Sequence, residues 1–187
     1  MGKIWTYESL GLESKASLEN VLRTGVPPNL EDLNGYIYCG ENHEWIGKVS
    51  GEKFKKGYTK KDGVNMGYNE MCTQDGKKWT GDWPIRRKAD GKPIQLAFFR
   101  TSMVKDEPAY PLYKPYINLA HFNYDLPLNS GYNIPFRVIR DFVVAPNDGD
   151  PELLLCKAYL TVFPYFLNIF YCYFLLGMRE PIVDMPW

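Results

Sequence analysis

Between Ser17 and Arg23 the apolar residues recur with a helical period, and after Gly35 the reading changes to strands, with a period of two. Ser17 is placed to cap a short helix through Arg23, with Leu18, Val21 and Leu22 as its apolar stripe and Gly25 as its stop. Residues 1–15 show no clear period and read as an arm. Val26-Pro27-Pro28 breaks the chain, and Asn29 caps a single turn over Leu30 to Leu33 that ends at Asn34-Gly35. A short helical entry of this kind, ahead of the first strand, is placed to close one end of a barrel.

The alternating part predicts strands at Tyr36 to Gly40, Trp45 to Val49, Lys53 to Thr59, Val64 to Thr73 and Ile94 to Val104, with Lys77 to Thr80 as a short further piece. Tyr116 to Tyr124, Phe136 to Val144, Leu153 to Val162 and Ile169 to Met178 continue the series. Turn signals separate them: Lys61-Asp62-Gly63, Gln74-Asp75-Gly76, Ala89-Asp90-Gly91 and Pro146-Asn147-Asp148-Gly149. Residues 105–115 hold three prolines and read as a connecting loop. No helical crossover lies between strands, and parallel pairing needs such crossovers. The expectation is a mainly β fold, an antiparallel barrel of eight or nine strands with a short N-terminal helical segment. Residues 1–34 would form the arm and helices, 35–180 the barrel and 181–187 a tail of one single domain.

Composition supports this reading. Aromatics reach 16%, with 14 Tyr, 10 Phe and 5 Trp, and such residues fit a pleated, half-buried surface. The formal net charge is zero, so no global field draws the chain to nucleic acid. Residues 48–92 are locally basic, with 12 Lys or Arg against 6 Asp or Glu, which reads as a set of solvated hairpin faces. Charges spread through the first 25 residues leave no apolar stretch of signal-peptide length. Cys39, Cys72, Cys156 and Cys172 lack CxxC spacing and read as reduced core residues of a soluble, cytoplasmic protein. Ala158 to Met178 carries no charge and is long enough to span a bilayer. Pro164 and Asn168 divide it, however, into a buried hairpin rather than a membrane helix.

The short helical entry, Leu33-Asn34-Gly35 running into a strand, and the consecutive hairpins together resemble lipocalin-like, calycin-type β-barrels. Phe54-Lys55-Lys56-Gly57-Tyr58, Gly67-Tyr68-Asn69 and Leu153 to Leu160 are similar to blocks of uncharacterised bacterial proteins of this type. The Gly-x-Trp motif of true lipocalins is absent, since Tyr36 follows Gly35. The resemblance implies binding of a small apolar or amphipathic, lipid-like molecule inside the barrel.

No P-loop, GxGxxG, GxSxG or HExxH motif occurs, so no cofactor is expected, and two histidines are too few for a convincing metal site. The candidate pocket residues are His121, Arg100, Arg140, Tyr124, Tyr173 and Tyr116. His121 shares its strand face with Ile117, Leu119 and Asn123. Arg140 shares parity with Phe136, Val138 and Phe142, and an inward arginine would clamp an anionic ligand group. The tyrosines pair an apolar body with a polar tip. Two alternatives belong to other classes. One is a small-molecule enzyme, an isomerase, cyclase or hydrolase, with His121 as acid or base in the pocket. The other is an interaction module presenting Lys53, Lys55 and Lys56 on one exposed face. His43, in Glu41-Asn42-His43-Glu44-Trp45, reads as a surface-loop residue.

Overall fold

The computed structural model describes residues 3–43, 52–162 and 167–187. Two helices open the chain, α1 (Tyr7–Gly11) and α2 (Lys15–Thr24). Ser14, not Ser17, caps α2: its side chain accepts the Ser17 backbone N–H, so the helix begins three residues earlier than the apolar stripe alone indicates. The arm is also partly helical, because Thr6 and Ser9 form a reciprocal capping box around α1. Asn29 caps the turn Leu30–Leu33 as the sequence predicts.

Eight strands follow among the described residues: β1 (Tyr36–Asn42), β2 (Lys53–Lys61), β3 (Val64–Met71), β4 (Gln95–Met103), β5 (Ala120–Asn123), β6 (Ile139–Val144), β7 (Leu154–Val162) and β8 (Leu167–Pro181). Each pairs antiparallel with the next, and β8 returns to β1, closing the barrel. Two predicted strands are shorter than expected. Tyr116 to Tyr124 yields only β5, because Pro111–Tyr116 forms 3-10 turns instead. Phe136 to Val144 yields only β6, because Gly131–Val138 is likewise 3-10. Pro115 and Pro135, each just ahead of the predicted strand, lie inside those turns. Lys77 to Thr80 is not a strand; Trp79 has a left-handed backbone (φ 59°) and donates its N–H to Glu41. The predicted strand Trp45 to Val49 lies outside the described residues.

Two apolar clusters lie on opposite faces of the wall. The interior set includes Tyr38, Tyr58, Phe99, Phe122, Cys156 and Phe174, with Leu33 packed among them. The single turn before β1 thus lends a side chain to one end of the barrel interior. The outer set joins Leu18, Val21 and Leu22 of α2 to Phe142, Leu155, Tyr173 and Leu175 of β6–β8. Residues 110–119 cover the same side, with Tyr116 stacked on Phe142 at 4.3 Å between ring centroids. β7 and β8 are antiparallel neighbours as expected, and their outer faces meet α2 and α1. The C-terminal tail covers a different part of the wall: Trp187 packs near Tyr68 and Phe98 of β3 and β4. Among the described residues no helix is long and apolar enough to cross a membrane.

A bulge in β4 matters for the interior. Ala97 is left-handed (φ 51°), and the register against β3 shifts there, so Leu96 and Phe99 pair with Asn69 and Gly67. Asn129, fully buried, clamps this bulge by accepting from Phe98 N (2.9 Å) and donating to Phe98 O (2.6 Å) and Tyr124 O (2.7 Å). Gly67 is required opposite: a Cβ there would stand 2.1 Å from Phe99 Cζ.

Candidate functional site

The barrel interior is packed with rings toward Leu33 and hollow toward the other end. Tyr58 meets Tyr38, Phe99 and Phe122 at 5.4, 5.6 and 5.4 Å between centroids. Beyond them lies a cavity of about 200 Å³ walled by Phe54, Leu96, Phe136, Ile139, Ala158 and Phe174. It occupies the end where the odd-numbered strands finish and the even-numbered strands begin. Its size lies below the roughly 300–1,000 Å³ of common ligand pockets, so it suits a small molecule.

Polar residues line the cavity as well: Asn42, Lys53, Asn69, Glu70 and Gln74, and a buried cluster of Lys56, Tyr124 and Asp141. Lys56 of β2 shares parity with Phe54 and Tyr58 and therefore points inward; it is 1% exposed. Its Nζ donates to the Tyr124 hydroxyl at 2.5 Å, and that hydroxyl donates to Asp141 Oδ2 at 2.7 Å. Lys56 Nζ stands 3.8 Å from the same carboxylate oxygen and 4.4 Å from the Phe99 ring centroid. Asp141 projects inward from β6, opposite Phe122 and Ala158 of its neighbours. Asn129 holds the Tyr124 backbone in place through its carbonyl.

Burial dominates the electrostatics of this cluster. It pushes the Lys56 ammonium below its ordinary pKa, against the attraction of Asp141. It pushes the Asp141 carboxyl up to about 6, against Lys56 and the Tyr124 hydrogen bond. Burial first and Asp141 second raise the Tyr124 phenol as well. The lysine and the aspartate are thus both biased toward their uncharged forms. Asp141 Oδ1 and Asn69 Oδ1, both on cavity-lining residues, are buried without a hydrogen-bond partner among the described residues. Two acceptors that lack a donor mark where a ligand's polar end has something to gain.

Of the six pocket residues expected from sequence, Tyr124 alone faces the cavity. His121 lies on the outer face of β5, fully buried, with its ring 4.8 Å from Tyr113 and 5.5 Å from Phe142. Among the described residues neither ring nitrogen finds a hydrogen-bond partner, and its Nδ1 is 3.9 Å from Glu107. Burial lowers its pKa. The acid–base alternative placed His121 in the barrel pocket, and the ring points away from it. Arg100 also faces outward, with two bonds to Glu107 at 2.7 and 3.0 Å. Arg140 was expected inward by its parity with Phe142, but Phe142 belongs to the outer cluster. Its guanidinium donates to the carbonyls of Arg137 and Ile139 at 2.8 and 2.6 Å. Tyr116 and Tyr173 belong to an outer network that binds α2 to the wall. Lys157 donates to Glu19 (2.7 Å) and Tyr116 (2.9 Å), and Tyr173 donates to Glu19 (2.5 Å).

The interaction-module alternative needs Lys53, Lys55 and Lys56 on one exposed face, yet all three are at most 9% exposed. Lys53 donates to Asp75 and to the carbonyls of Thr80 and Asp82, and Lys55 pairs with Glu180. His43, expected in a surface loop, bonds through Nε2 to the Glu13 carbonyl at 2.9 Å. Lys56 and Asp141 were missed as site residues. The available signal was parity: each charge alternates with apolar residues, Phe54 and Tyr58 in one strand and Val143 in the other.

A second buried carboxylate, Glu41, lies on the outer face of β1, where burial lifts its pKa to about 7. A raised carboxyl pKa supplies stability below the ordinary carboxylate range that is lost as pH rises toward about 7. Glu41→Gln keeps an acceptor for the Trp79 N–H and removes the charge. The variant is expected to melt above wild type at about pH 8 and close to it at about pH 4, as read by thermal unfolding across that range. A difference that grows toward low pH would contradict this assignment.

In comparisons with protein-family models, with curated proteins and with solved structures, the chain matches none.

Proposed function

We propose that this chain binds a small amphipathic molecule inside its barrel, in the manner that its lipocalin-like pattern implies. The apolar body would lie against Phe54, Leu96, Ile139 and Phe174, and the polar end against Lys56, Tyr124 and Asp141. One observation carries the reading: a cavity of about 200 Å³ with aromatic and aliphatic side chains in its wall and a buried Lys56–Tyr124–Asp141 cluster, in which one carboxylate oxygen has no partner among the described residues. A ligand with a hydroxyl or amine donor would satisfy Asp141 Oδ1 while its chain displaces poorly held water from the wall.

The test is displacement of a hydrophobic fluorescent probe, N-phenyl-1-naphthylamine, by octanol. Wild type is expected to bind the probe and release it to octanol. Ala158→Trp projects an indole into the cavity from β7 and is expected to weaken both by roughly tenfold or more, a loss of about 1.4 kcal/mol or more. Ala158→Phe serves if the larger ring disturbs folding. Probe binding that survives either substitution in a folded protein would place the ligand elsewhere and overturn the reading.

A further inference from the structure

The cavity holds a feature that a plain lipid-binding barrel does not need. A lysine is an expensive way to line an apolar pocket, because its ammonium loses hydration there and only an excellent partner offsets the loss. Among the described residues Lys56 has one hydrogen-bonding side-chain partner, the Tyr124 hydroxyl, and an Asp141 carboxylate oxygen stands 3.8 Å away. Lys53, the other lysine at the cavity, is different in kind: its Nζ is taken up by Asp75, Thr80 and Asp82 and lies 4.3 Å over the Trp83 ring.

We propose that Lys56 is a covalent capture site for small apolar aldehydes, which it holds as an imine inside the barrel. The inference rests on the cavity-binding reading and deepens it by naming the ligand's reactive group. Three features of the geometry support it. Lys56 lines a cavity able to hold an apolar chain. A carboxyl group is joined to it by two hydrogen bonds, with the Tyr124 hydroxyl between. The second oxygen of that carboxyl has no partner among the described residues and can serve a hydroxyl formed on the ligand. Burial also favours the neutral amine, the form that reacts with a carbonyl.

The step balances without any outside reagent. The Lys56 amine lone pair forms the N–C bond as the carbonyl π pair moves to oxygen. That oxygen takes the Asp141 carboxyl proton, and the nitrogen returns one of its protons to Asp141, giving a neutral carbinolamine. Asp141 then protonates the hydroxyl, the C–O bond breaks, and water leaves as the nitrogen lone pair forms the C=N bond. The product is a protonated imine facing the Asp141 carboxylate. One amine, one carboxylic acid and one aldehyde become one iminium, one carboxylate and one water.

The experiment uses the full chain, octanal as the aldehyde and sodium cyanoborohydride to trap the imine as a stable octyl amine near neutral pH. The adduct is located by peptide mass mapping. Lys56 is expected to carry the first adduct, ahead of exposed lysines such as Lys60, whose side chain is 47% exposed. Excess octanol should protect Lys56 at least tenfold and leave Lys60 unprotected. Lys56→Arg should abolish the protected adduct. Octanol protection is measured on wild type, so the test survives if the variant fails to fold. Adducts confined to exposed lysines, in a protein that binds octanol by probe displacement, would overturn the imine and leave the cavity reading standing. Failure of both octanol and the naphthylamine probe to bind would instead overturn the cavity reading itself.

Discussion

Lys56→Met and Asp141→Leu are expected to weaken the fold with opposite pH slopes. In Lys56→Met the Asp141 carboxyl loses the cation that holds its pKa down, so a value already raised by burial rises further. A carboxyl raised in the folded state contributes stability at low pH that is lost as pH climbs through its folded pKa. The variant is therefore weakest near about pH 9, where breaking the buried pair should cost about 3–5 kcal/mol relative to wild type. In Asp141→Leu the buried Lys56 loses its carboxylate, and its lowered pKa falls further. A lysine lowered in the folded state contributes stability at high pH that is lost as pH falls. That variant is weakest near about pH 5, by a similar amount. The double variant removes both charges and should recover most of the loss, with little pH dependence. Urea unfolding of all four proteins at the two pH values checks the pattern. Parallel curves for the two single variants would show that the pair is not coupled as described.

Phe122→Ala is the second large effect. The ring is fully buried in the packed half of the barrel, 5.0 Å from Phe99 and 5.4 Å from Tyr58 between centroids. Lys56 Nζ lies 5.8 Å from its centroid, so the ring also forms part of the surface on which the cation rests. Truncation removes the apolar surface and leaves a hole that a closed sheet is poorly able to collapse, because each strand is hydrogen-bonded on both sides. The expected cost is about 3–5 kcal/mol, a fall in Tm on the order of 10 °C for a chain of this length. Phe122→Leu keeps most of the volume and should lose well under half as much. Equal losses for the two would point to an effect other than cavity formation.

Local chemistry determined a good deal of this molecule. The turn at Lys61-Asp62-Gly63 forms where sequence places it, with Asp62 and Gly63 both left-handed (φ 51° and 80°). Asp148 and Gly149 repeat the pattern (φ 51° and 85°) between β6 and β7. The Asn29-capped turn, the antiparallel order and the β7–β8 pairing follow from short-range signals of the same kind. So does the absence of a helix over Ala158 to Met178 in its described residues.

Which face of each strand points inward was not local. β5 to β8 carry large residues on both faces because both are covered, the inner by the opposite wall and the outer by α1, α2 and residues 110–119. Alternation then labels two apolar faces without saying which is inside; His121, Arg140 and Tyr173 fall on the outer one, and Tyr116 lies in the turn that covers it. The candidate site depends on the same missing information. Lys56 and Asp141 are 85 positions apart, on strands β2 and β6 across the barrel, and each looks like an ordinary charge in its own strand. Only closure of the sheet, with β8 returning to β1, curves those strands until the two side chains meet over Phe99. Curvature of that kind comes from the summed twist and stagger of all eight strands. The sequence determined the hairpins by local turn chemistry, and the tertiary structure alone decided what they enclose.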